Sequence, residues 1–161
     1  MKKLIYSLIV MMIFTNNSFS AGSSNDTSDK KSNYSKAYNL IQSAKKYEKK
    51  GKTEKSKKRY LKAQKLLLLS NKEKPLQADT LNYLGFTTRK LGDYKKGEEF
   101  YLQGLKIEPN HKGINEYLGE LYVVTNRIDL AKERLNTLKN CNCDEYKDLK
   151  EIIEGTKKSK Y

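Results

Sequence analysis

Few side chains in this sequence could carry chemistry. His111 is the only histidine. An imidazole acting as a base or a zinc ligand needs partners, and the sequence offers no His-x-x-x-His spacing and no dyad partner for it. The carboxylate pairs Glu98-Glu99 and Asp144-Glu145 are sequence neighbours, so on a helix they diverge instead of converging on one atom. Gly-rich phosphate-binding patterns are absent. The expectation is a non-enzymatic protein with no catalytic residue, no metal site and no cofactor. Cys141 and Cys143 are the sharper feature. Two thiols do not complete a four-ligand zinc site, but in an oxidising compartment they are expected to pair. Such a disulfide would serve either as a local staple ending a helix or as a redox-sensitive element. The remaining candidate is a basic run: Lys45, Lys46, Lys49, Lys50, Lys52, Lys55, Lys57, Lys58, Arg59 and Lys62, opposed only by Glu48 and Glu54. It reads either as a solvated helix face or as a surface for an anionic envelope component.

The chain that must position these residues has 161 amino acids, 37% of them hydrophobic, and a formal charge of +14. That size supports one modest domain. A basic balance invites a nucleic-acid reading. Against it, Arg59, Arg89, Arg127 and Arg134 are the only arginines among 33 basic residues, and nucleic-acid readers lean on the guanidinium fork. A chain rich in Lys, Asn and Tyr and lacking Trp has the composition of a low-GC genome. At the N-terminus Lys2 and Lys3 precede an apolar run from Leu4 to Phe14, and Ser18 and Ser20 stand three and one positions before Ala21. The run is too short to span roughly 30 Å of hydrocarbon. Residues 1–20 are read as a cleaved secretory signal, in preference to an uncleaved anchor or a buried helix, and the destination as the periplasm or the exterior. Export makes nucleic acid an improbable partner. Residues 21–34, AGSSNDTSDKKSNY, are too polar to bury much surface and are read as a flexible leader.

A period of 34 residues organises the rest. Leu84-Gly85 meets Leu118-Gly119 at that offset, Gly92 meets Asn126, Tyr94 meets Ile128, Gly97 meets Ala131, Tyr101 meets Leu135 and Gly104 meets Leu138. This pattern resembles the tetratricopeptide repeat (TPR). Repeats are placed at 37–70, 78–111 and 112–145. The resemblance implies an all-α fold within residues 35–155, three helix–turn–helix repeats stacked as a short right-handed superhelix. Small residues would sit at the helix crossings: Ala44, Gly85 and Gly119 on the first helices, Ser56, Gly97 and Ala131 on the second. Leu66 to Leu69 should lengthen the second helix of the first repeat, and Pro75 suits the first turn of the next. Residues 144–154 read as an amphipathic capping helix, with Tyr146, Leu149, Ile152 and Ile153 on one face. Residues 156–161 read as a tail. The register puts His111 in the turn between repeats, exposed to solvent. Small exported bacterial members of the family are similar around the cysteines, where a pair is followed by Glu-Tyr, here Glu145 and Tyr146.

The resemblance also implies a function, binding a protein or peptide in a groove lined by the first helices. Its exposed positions carry over to Tyr38, Ile41, Lys45, Glu48 and Lys49, then Asp79, Asn82, Phe86, Arg89 and Lys90, then Gly113, Glu116, Glu120, Val123 and Val124. The groove would run from basic and aromatic to acidic and apolar. Phe86 reads equally as an exposed anchor for a partner or as packing against the next repeat. Family members that clamp a terminal carboxylate place Lys and Arg in the last repeat. Gly113 and Tyr117 stand there, so that activity is not carried over. The expectations are thus a scaffold or adaptor, with an envelope-surface binder and a redox-sensitive module as alternatives.

Overall fold

The computed structural model describes residues 32–159, so the expected secretory signal and most of the leader lie outside the described residues. Within them the fold is all-helical: α1 (Asn33–Lys49), α2 (Thr53–Glu73), α3 (Ala78–Lys90), α4 (Tyr94–Ile107), α5 (Lys112–Val124), α6 (Ile128–Leu138) and α7 (Asp144–Ile153). Successive helices pair as hairpins, α1 with α2, α3 with α4 and α5 with α6, and the hairpins stack in chain order. This is the arrangement the 34-residue period calls for.

The turns inside the hairpins follow from single residues. Gly51, Gly92 and Asn126 each take a positive φ, of 67°, 99° and 59°. After each of them the backbone N–H of the next residue reaches back five positions, from Lys52 to Tyr47, Asp93 to Thr88 and Arg127 to Tyr122. That is the left-handed helix stop in which a residue tolerant of positive φ lets the orphan carbonyls find donors. The match of Gly92 with Asn126 in the sequence was therefore a match of backbone conformation. Asp93 then caps α4, its carboxylate accepting from the Lys96 N–H at 2.9 Å.

Small residues set the distance between helices. Ala44, Ser56, Gly85, Gly97, Gly119 and Ala131 are all buried, as the crossing argument requires. A methyl group on Gly85 would stand 2.5 Å from the Tyr101 ring, and one on Gly119 2.5 Å from Leu149. The two glycines thus admit a large side chain from the facing helix, which offsets their helix-propensity cost of about 1 kcal/mol. One core runs through the stack, from Ala37 and Ile41 through Leu84 and Phe86 to Leu118 and Leu121. At its far end Leu149 and Ile152 of α7 are buried, covering α5 and α6. α7 ends in the same stop as the first helices, with Gly155 at φ 73° and Thr156 N–H bonded to Glu151.

Two boundaries differ from expectation. α1 starts at Asn33, inside the segment read as leader, because Ser32 caps it and the Tyr34 ring packs 6.0 Å from Tyr83. α3 starts at Ala78, so Pro75 lies in the preceding linker and not in the first turn. α2 does gain the expected length, reaching Glu73 over 21 residues.

Candidate functional site

The first helices present a groove of about 600 Å³, bordered by Lys45, Glu48 and Lys49 of α1, Thr53 of α2, Phe86 and Lys90 of α3, and Ser159. Helical spacing explains the set. Lys45, Glu48 and Lys49 recur at the three- and four-residue intervals of one helix face, as do Phe86 and Lys90. Phe86 is the floor. Its ring lies between Tyr60, 5.7 Å away, and Tyr117, 5.1 Å away. Lys45 covers it, with its ammonium 4.6 Å from the ring centre and donating to the Tyr117 hydroxyl at 3.2 Å. Lys90 pairs with Glu48 at 2.7 Å, and the Tyr60 hydroxyl donates to the same carboxylate. Burial first, and the Glu48 charge second, push the Tyr60 phenol far above the ordinary tyrosine range.

Beneath the groove, Arg89 and Glu120 are both enclosed and face each other at 3.5 Å, with the guanidinium also donating to the Tyr117 carbonyl. The chain after α7 reaches the same place. Lys157 binds Asp148 and Glu151, and the Ser159 hydroxyl donates to Glu120 at 3.2 Å. Groove and tail are therefore joined.

The site expected from sequence is reorganised. Ile41 and Phe86 are core residues at 0% and 1% exposure, so Phe86 packs between repeats and is not an exposed anchor. Asn82, Arg89, Glu116 and Glu120 are buried as well, because neighbouring first helices stand close enough to enclose them. Val123 packs partly against the core, whereas Tyr38 remains exposed at the edge, its ring 5.6 Å from Tyr83. Of the groove positions expected from sequence, Lys45, Glu48, Lys49 and Lys90 line the groove itself, alongside Phe86 as its floor. The expected gradient from basic to acidic does not form, since the pairs Lys90–Glu48 and Arg89–Glu120 bring both signs together. Sequence reasoning missed Thr53, Tyr60, Tyr117 and Ser159. Tyr60 and Tyr117 carried a signal, an aromatic at helical spacing beside the groove positions, but Ser159 carried none.

No protein-family model matches the chain. Among curated proteins it is similar to the Sol locus transcriptional repressor of Clostridium acetobutylicum, 42% identical over 72 residues, 43% of this chain and 23% of that protein. The chain thus spans under a quarter of the length of that relative. Among solved structures it is similar to the C-terminal TPR-containing domain of an FK506-binding protein of Plasmodium falciparum. That alignment covers 77% of this chain and 89% of the domain, at 19% identity and a TM-score of 0.46.

The remaining candidates are placed as follows. Cys141 and Cys143 form a disulfide with Cα atoms 5.2 Å apart, in the bend before α7, for which Cys143 is the residue preceding the first turn. His111 is not a free loop residue. Its Nδ1 accepts from the Ile114 N–H at 3.1 Å, capping α5, which leaves Nε2 to donate to Asp79 at 3.2 Å. Of the basic run, Lys46, Lys49, Lys50, Lys52, Lys55, Lys57, Lys58 and Lys62 are exposed, while Arg59 stacks on Tyr47 at 4.9 Å. The Arg59 hydrogen bond, then its charge, hold the Tyr47 phenol below the ordinary tyrosine range. Among the described residues no group of acidic, His and Cys side chains could hold a metal ion, and no helix is long and apolar enough to cross a membrane.

Proposed function

We propose that this protein is an exported, non-enzymatic interaction module of the TPR type, which holds a short segment of a partner protein in the groove between α1 and α3. The observation that carries this reading is the groove itself: an aromatic floor at Phe86 under a rim of Lys45, Lys49 and Lys90, with Glu48 bridged to Lys90. The exposed lining of the groove is predominantly apolar, which supplies burial, and a few charged groups at the rim fix orientation. Such a rim suits a segment with an aromatic or aliphatic side chain flanked by carboxylates. The sequence supports export through residues 1–20. Repressor activity is not carried over from the clostridial relative, because the similar stretch is 23% of that protein and fold does not carry function.

Selection from a displayed random-peptide library supplies ligands for the test. The double substitution Lys49→Glu and Thr53→Glu changes two exposed rim residues without touching the floor. Affinity of the selected peptides should fall about tenfold or more, the cost of roughly one reversed charge contact of 1.4 kcal/mol, with the helical circular dichroism unchanged. Equal affinity would remove the groove from the proposal. Intact-mass measurement of the protein from its host tests export separately, since the proposed cut leaves Ala21 as the first residue.

A further inference from the structure

The outward face of α2 holds a second surface, independent of the groove. α2 buries Ser56, Tyr60, Ala63, Leu67 and Ser70. At about 100° per residue these fall within one narrow arc. On the opposite side Leu61, Leu68 and Leu69 stand 43%, 48% and 50% exposed. Exposed lysines interleave them: Lys58, Lys62, Lys65 and Lys72, with Lys55 and Lys57 at the near end. None of these lysines forms an ion pair among the described residues. Lys55, Lys58, Arg59 and Lys62 also line a cleft of about 350 Å³ against Tyr47 and Leu40.

Three exposed leucines within a field of cations select the partner. A soluble polyanion would satisfy the lysines and leave the leucines in water. A folded protein would cover the leucines, but interface cores are depleted in Lys because each ammonium must be desolvated. An anionic bilayer satisfies both. Leucines enter the acyl boundary, lysines lay their apolar stems along it with the ammonium at phosphate level, and a helix lies in the interface plane. We propose that α2 docks this protein on the surface of an anionic membrane, with the cleft beside Arg59 taking a lipid headgroup phosphate.

The chain has no tryptophan, so one introduced indole reports its own site without background. Leu68→Trp, in the otherwise unaltered protein as purified from its host, should blue-shift on vesicles of phosphatidylglycerol and phosphatidylcholine and be quenched by brominated acyl chains. Tyr94→Trp, on α4 and 42% exposed, should show neither effect. Binding to phosphatidylcholine alone should be weaker by about tenfold or more, and salt of about 0.5 M should remove most of the difference, because charges at a surface are screened within a few Å. Replacing Leu61, Leu68 and Leu69 by Ser should weaken vesicle binding about fivefold or more, with the thermal melt as the control for folding. An unshifted Leu68→Trp indole, or Ser variants that bind as the parent does, would overturn the proposal. So would release from vesicles by soluble polyphosphate with no loss in the Ser variants, which would mark a polyanion site instead.

Discussion

Arg89 and Glu120 form an ion pair enclosed on both sides, each at 0% side-chain exposure. Sequence offered them as groove positions on the first helices of neighbouring repeats. Enclosure changes what each one does. A buried charge is tolerated only when its counter-charge and hydrogen bonds stay in place, so the pair stabilises the relation of α3 to α5 more than it offers itself to a ligand. Replacing Arg89 by Met leaves Glu120 without its guanidinium, and unfolding free energy in urea should drop by about 3–5 kcal/mol. Adding Glu120→Leu to that variant should recover much of the loss, since an apolar pair needs no counter-charge. If the double substitution is no better than the single one, the pair is not what holds these helices. Phe86 makes the same point without charge. An aromatic ring at a groove position becomes floor when Tyr60 and Tyr117 close on it.

At the scale of elements, each helix stop is local and each helix contact is not. Gly51, Gly92 and Asn126 end first helices by adopting positive φ, a property of a residue and its neighbours. By contrast, α7 is placed by what it covers. Leu149 sits at 0% exposure against the space left by Gly119. An array of hairpins leaves its last apolar face open unless a terminal helix closes it. Leu149→Ala should therefore cost about 2–5 kcal/mol, the range for truncating a buried leucine. Urea denaturation followed by circular dichroism measures it, and should show one transition shared by all helices. A melt confined to a small fraction of the helical signal would mean that α7 is an appendage and not the cap. The disulfide between Cys141 and Cys143 fits the same role, tying the bend that aims α7.

Across the whole molecule, tyrosines connect the first helices. Tyr34 of α1, Tyr83 of α3 and Tyr117 of α5 all have phenols raised by burial, Tyr34 to about 12 and the others further. A raised phenol keeps its proton in the folded chain while the unfolded chain loses it near pH 10. Stability from these groups is thus full below about pH 10 and declines as pH rises through and beyond that value. Urea midpoints should fall steeply from pH 10 upward. Tyrosinate absorbance should rise in two stages, Tyr47 in the early one, the enclosed rings together with loss of helicity. A single stage near pH 10 with helicity intact would contradict the packing. The sequence by itself determined the hairpins, their 34-residue period, the small residues at their crossings and the amphipathic α7, because helix periodicity and turn chemistry act over a few residues. It also showed the basic run on the first repeat. The tertiary structure alone decided which groove positions stay open, that opposite charges meet as Lys90–Glu48 and Arg89–Glu120, and that Ser159 returns to Glu120. Those outcomes depend on how closely successive hairpins approach, a distance summed over many side chains far apart in the chain, so no local pattern encodes them.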